Sequence, residues 1–185
     1  MADGEDHNAA LVCWINACKV SNSPIDSIED LSDGVLLTAV LHHFFPAHFT
    51  LVSQGGHTLQ EPEACIEHLC AQLDAYFAGN LSSVIGSEAG DDDSMAAMKL
   101  RLRGLAEVTL LIAVESPRRD EAVKAIFTLS QPSQAMIKRS LQRVMAHRES
   151  GPPSSAGAEP VAAAGKRRAR EGAGGPPSGR NFRAR

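Results

Sequence analysis

The chain has 185 residues, enough for one ordinary domain with a hydrophobic core, and a formal net charge of −4. The charge is uneven: residues 1–150 carry 11 Lys/Arg and 20 Asp/Glu, whereas residues 151–185 carry 7 and 2. An acidic body argues against a general polyanion-binding surface and against docking on the acidic microtubule lattice through the average field of the domain. The longest apolar stretch is far too short to span a bilayer, and the acidic start is unlike a signal peptide. The four cysteines are therefore expected to be free thiols in a reducing compartment.

The spacing of apolar residues predicts an all-α domain of about seven helices, with no strand and no internal repeat. In chain order the predicted helices cover Ala9–Val20, Ile25–Leu31, Val35–Phe45, Glu61 to about Ala78, Ser94–Val114, Arg119–Leu129 and Pro132 to about Arg148. Asn8 is the predicted cap of the first helix. Trp14 is predicted to anchor the core, and Asp33-Gly34 to form a turn.

Composition divides the chain into three segments. Residues 1–8 are small and polar and are predicted to be a flexible N-terminus, and residues 9–148 form the predicted domain. Residues 149–185 are rich in Gly, Pro, Ala and Arg without periodicity, and we expect them to form a disordered basic tail. The acidic run 86–93 is expected to be a solvated loop, and the basic cluster 166–170 is too short a motif to assign a role.

The order of motifs resembles the Hook-type calponin-homology-like domain. An L-x-x-W-I helix beginning at Leu11 is followed by L-S-D-G-V-L-L from Leu31, which closes on Pro46. A long apolar helix from Leu105 and the terminal series Q-x-x-I-x-x-x-L-Q-x-V-M from Gln134 complete the pattern. The resemblance covers residues 9–148 and is to the Hook proteins, the Girdin group and, more distantly, the N-terminus of NuMA.

The resemblance implies a non-enzymatic cytoskeletal adaptor of the cytoplasm. In that family the last helix of the domain binds a short helix of the dynein light intermediate chain, and a long coiled coil normally follows. This sequence departs from the family in two places. First, a Pro/Gly/Arg-rich stretch is found where the heptads of the coiled coil would begin, so the chain is expected to be a piece of a longer coiled-coil protein or a divergent member. Second, residues 79–93 form an acidic insertion.

The last helix is the predicted partner-binding site. Four of its residues recur at i, i+3, i+7 and i+11, along one helical stripe, and a fifth belongs to the terminal motif. The predicted partner-binding residues are Gln134, Ile137, Leu141, Gln142 and Met145. Ile, Leu and Met suit adaptable apolar contact with a partner helix, and Gln suits hydrogen bonds that fix its register. The same periodicity is expected of a helix that packs on its own core, and both interpretations stay open here.

No catalytic, cofactor or metal site is predicted. Cys65 and Cys70 are five residues apart, about 140° apart on a helix, and no metal-binding pair of cysteines or histidines occurs. The sequence lacks a nucleophile elbow and a phosphate-binding loop. Two alternative functions remain: a domain that binds microtubules or actin directly, through the tail or a patch such as Arg118-Arg119, and a structural cap of a coiled-coil protein.

Overall fold

The computed structural model describes residues 2–51, 62–85 and 95–150, and over these residues the chain forms seven α-helices, one 3-10 helix and no strand. The helices are α1 (Ala2–Ala17), the 3-10 helix (Ile28–Leu31), α2 (Val35–Phe44), α3 (Pro62–Tyr76), α4 (Leu81–Ile85), α5 (Met95–Glu115), α6 (Arg119–Phe127) and α7 (Gln131–Ser150). The predicted all-α fold is confirmed. The acidic loop 86–93 and residues 151–185 lie outside the described residues.

Helix α5 is the centre of the fold. Its residues from Gly104 to Ala113 are all buried, as expected of a helix that is apolar on every side. It contacts α1, α2, α4, α6, α7 and the 3-10 helix. A Cβ atom at Gly104 would collide with the Ile85 side chain, so glycine at this position permits α4 to pack closely on α5. These six elements are therefore positioned by their contact with one buried helix, and α3 packs on α2 and α4.

The first half of the chain is anchored by α1. Trp14 is fully buried in the core, which confirms its predicted role. The Asn16 side chain then holds the chain after the helix, because it donates to the Ile25 carbonyl at 2.8 Å and accepts from the Ile25 amide at 3.0 Å. Gly34 adopts a left-handed conformation with φ of +69° before α2, and the predicted turn at Asp33-Gly34 is confirmed.

Several predicted helix boundaries are wrong. Helix α1 ends at Ala17 and not at Val20, and α6 ends at Phe127 and not at Leu129. Helix α1 begins at Ala2 and not at Ala9, so Asn8 lies inside the helix, and the helix includes residues 2–8, which were expected to be flexible. Helix α7 starts one residue earlier than predicted and continues to Ser150, two residues into the predicted tail.

The predicted helix Ile25–Leu31 is reduced to a single 3-10 turn. One carboxylate oxygen of Asp30 accepts the backbone N–H groups of Asp26 and Ser27, each at 2.9 Å. The bond from the Ser27 amide belongs to a capping box that sets the start of the helix after Ser27, and both bonds lower the pKa of Asp30. Side-chain hydrogen bonding therefore shortens this element relative to its apolar pattern.

Candidate partner-binding helix

Helix α7 has one buried side and one solvent side. It contacts α1, α4, α5 and α6. The residues that it packs against the core are Met136, Ile137, Ser140, Leu141 and Val144. The residues exposed along its opposite side are Ala135, Lys138, Arg139, Gln142, Met145 and Ala146. These exposed positions recur at three and four residues, so they form a continuous stripe about three turns long.

The five predicted partner-binding residues differ in their exposure to solvent. Ile137 is buried in the core, and Leu141 is half-buried and packs against it. Gln142 is exposed, and Met145 is 47% exposed. Gln134 is half-buried at the edge between the two sides. Two of the five residues are thus open to a partner, two pack within the domain, and one lies between them.

Gln134 connects the start of α7 to the end of α6. Its Nε2 group donates to the Leu129 carbonyl at 2.9 Å and lies 3.5 Å from the Phe127 carbonyl. The start of α7 is capped by Ser130, whose Oγ accepts the Ser133 amide at 3.3 Å. The Gln134 side chain therefore fixes the connection between the two helices. Sequence spacing could not predict this bond, because it depends on the conformation of the intervening turn.

A buried carboxylate joins α5 to α7. Glu107 is 1% exposed, and its Oε1 accepts hydrogen bonds from Arg103 Nε at 3.2 Å and Ser140 Oγ at 3.0 Å. Its Oε2 forms an ion pair with Arg143. A buried charge is tolerated only when it is paired and hydrogen-bonded, and this one has partners on both oxygens. This cluster was not predicted from the sequence. A single acid inside the apolar run from Leu105 is nevertheless a signal, because a buried acid needs a partner.

A second ion pair lies near the end of α7. Arg148 Nη1 is 2.9 Å from each carboxylate oxygen of Glu115, the last residue of α5. Burial raises the pKa of the nearby Tyr76 hydroxyl, with a further contribution from the negative charge of Glu115 that Arg148 partly offsets. Because Glu107 faces Ser140 and Glu115 faces Arg148, α5 and α7 run in the same direction.

Helix α6 adds exposed apolar side chains next to α7. Val123 and Phe127 lie one helical turn apart, and Phe127 is 71% exposed. Both are apolar residues of the predicted helix Arg119–Leu129. The buried residues of α6 are instead the small side chains Ala122 and Ala125. An exposed phenylalanine at the junction with α7 is a candidate anchor for a partner, since aromatic residues are enriched at binding hot spots.

Other chemistry is sparse in the part of the chain that the structure describes. The four cysteines are free thiols, and burial raises the pKa of Cys18 to about 12. Within the described ranges, no three His, Cys, Asp or Glu side chains are grouped so that they could hold a metal ion. No helix among the described residues is long and apolar enough to cross a membrane.

Comparison with known proteins identifies the fold. The structure is similar to the solution structure of the conserved domain of the HOOK1 protein from mouse, with a TM-score of 0.60 and 21% sequence identity. The match covers 77% of this chain and 92% of that chain. The sequence matches no protein-family model and no curated protein. The chain therefore has the fold of a Hook domain, which confirms the fold expected from the motif order.

Proposed function

We propose that this domain is a non-enzymatic cytoskeletal adaptor of the cytoplasm that binds a helix of the dynein light intermediate chain along α7. The observation that carries the proposal is the exposed stripe of α7, in which Gln142 and Met145 face solvent on a domain with the Hook fold. Such a domain would link cargo, or a coiled coil, to the microtubule motor.

The five predicted residues contribute to this binding in two ways. Gln142 and Met145 supply direct contacts, because a methionine adapts to an apolar partner and a glutamine one turn earlier offers hydrogen bonds. Leu141 and Gln134 border the stripe, and Ile137 supports it from the core side. Phe127 adds an exposed apolar side chain at the end of α6, and its backbone carbonyl lies 3.5 Å from Gln134 Nε2 at the beginning of α7.

A binding measurement with matched variants tests the proposal. A labelled dynein light intermediate chain is titrated with the full chain, and binding is followed by fluorescence anisotropy. Met145→Glu should weaken binding about 30-fold, since replacing the large apolar side chain of the stripe by a charge costs about 2 kcal/mol. Gln142→Ala should weaken it less, by about fivefold, because a single neutral hydrogen bond contributes about 1 kcal/mol.

Met98→Glu is the control variant. Met98 is 38% exposed on α5, comparable to Met145, so the substitution adds the same charge at a similar solvent exposure on another helix. It should leave binding unchanged. Equal affinities for wild type, Met145→Glu and Gln142→Ala would contradict the proposal, and so would equal losses in Met145→Glu and Met98→Glu.

Variants of the half-buried positions need a folding control. Leu141→Asp would place a charge against the core, and Gln134→Ala would remove the bond to Leu129. Both should weaken binding, but both also act on the fold, so circular dichroism and thermal melting must accompany them. Weakened binding by a variant whose melting temperature matches wild type supports a direct role for that residue.

A further inference from the structure

The described residues divide into a basic and an acidic part. Residues 118–150, which contain α6 and α7, carry seven Lys/Arg and three Asp/Glu, a net charge of +4. Two of these cations, Arg143 and Arg148, pair with Glu107 and Glu115 of α5, and the five that remain against three acids leave a net charge of +2. The other described residues carry four Lys/Arg and 12 Asp/Glu, a net charge of −8. The helices that present the candidate surface are thus positively charged within an otherwise acidic domain.

The exposed cations of this part lie beside its exposed apolar residues. On α7, Lys138 is one turn before Gln142, which is in turn one turn before Met145, and Arg139 is exposed next to Lys138. On α6, Lys124 is three residues before Phe127. Each helix therefore places a cation within one turn of a partner-facing residue.

We propose that the α6–α7 surface selects an amphipathic helix whose polar flank is acidic. This inference rests on the proposed function and specifies the chemistry of its partner. The apolar side of the partner helix covers Met145 and Phe127, and its Asp or Glu residues pair with Lys138, Arg139 and Lys124. Charges at the rim of such an interface steer association and suppress partners of the wrong sign.

The size of the basic part, residues 118–150, favours a single helix over a filament lattice as the binding partner. A partner helix of about 15 residues is about 22 Å long and stays within the length of the 20-residue α7. A microtubule or another extended polyanion would also face the acidic remainder of the domain and be repelled by it. An electrostatic contact with a polyanion would, in addition, gain little from an exposed phenylalanine.

Two designed peptides test the inference independently of the dynein subunit. Both are amphipathic helices of about 18 residues with the same Leu/Phe face, and their polar faces carry either Glu or Lys. The full chain should bind the Glu peptide at least tenfold more tightly than the Lys peptide at about 50 mM salt. This preference should shrink at about 300 mM salt, where exposed charges are screened.

Reversing the charge of exposed cations on α7 tests whether they cause the preference for the Glu peptide. The double variant Lys138→Glu/Arg139→Glu should weaken binding of the Glu peptide about tenfold, the scale of two exposed ion pairs replaced by repulsion. The control Lys19→Glu/Arg101→Glu changes the total charge equally at exposed positions outside α6 and α7, and it should retain most of the binding.

The remaining outcomes are also decisive. Equal binding of the two peptides, no binding of either, or equal losses in the two double variants would overturn the inference. So would microtubule co-sedimentation that depends on Lys138 and Arg139 and that the Glu peptide does not compete away. If the dynein subunit binds wild type and loses affinity for Met145→Glu while any of these results is obtained, the proposed function stands. In that case only the inference that the partner helix has an acidic flank is rejected.

Discussion

Replacing Glu107 by Gln should destabilise the domain strongly, because it removes the charge that joins α5 to α7. The carboxylate is 1% exposed and accepts from Arg103, Ser140 and Arg143. Breaking a buried pair from one side costs about 3–5 kcal/mol. The Arg143 side chain is partly exposed and can recover hydration, so we expect the lower end, about 3 kcal/mol.

Urea unfolding followed by far-UV circular dichroism measures this loss. With a slope of about 2 kcal/mol/M, a loss of 3 kcal/mol lowers the midpoint by about 1.5 M. Glu115→Gln is the matched control, because Glu115 pairs with Arg148 between the same two helices on the surface. Its cost should be at most about 1 kcal/mol. Similar midpoints for the two variants would refute the reasoning that burial makes Glu107 important.

Three further predictions concern other parts of the fold. Gly104→Ala should destabilise the domain by about 1–3 kcal/mol in the same urea assay, because the added methyl group collides with Ile85; an unchanged midpoint would contradict this packing. The pKa of Asp30 is lowered by its backbone hydrogen bonds, so the stability that it contributes is present above the ordinary Asp pKa of about 3.9 and is lost as pH falls through the lowered native value. The thermal-melting advantage of wild type over Asp30→Asn should therefore shrink between about pH 4 and pH 2, and a constant difference would count against the assignment. At about pH 8 the Cys18 thiol, with its pKa of about 12, should react with iodoacetamide more slowly than the exposed Cys13 in the folded protein and at the same rate in urea, as measured by peptide mass spectrometry.

The helices of this fold follow from apolar spacing, whereas their ends depend on local polar contacts. Helix α5 was predictable because its apolar residues cover every side, which is expected only of a central helix. The 3-10 turn was not, since Asp30 satisfies two backbone amides that periodicity does not represent. The early start of α1 was not predictable either, because residues 2–8 carry no apolar periodicity.

The candidate site was predictable in position and not in detail. Spacing placed Ile137, Leu141 and Met145 on one stripe of the helix. Such a stripe covers part of the helix circumference, and one edge of it can face the core while the other faces solvent. Here the stripe lies on the boundary between core and solvent, so Ile137 is buried while Met145 is exposed. The exposure of Phe127 could not be predicted from the sequence, because the packing side of α6 is made of alanines, which carry a weak apolar signal.

Helix α7 is held at three points, and each uses a polar contact. Gln134 bonds the end of α6, Glu107 holds the middle of the helix, and Glu115 holds Arg148 near its end. Apolar packing alone would tolerate a small rotation or sliding of α7, whereas hydrogen bonds and ion pairs have preferred distances and directions. None of these contacts uses Gln142 or Met145. The stripe is therefore fixed in register before a partner arrives, and a surface that is already ordered spends less binding free energy on ordering.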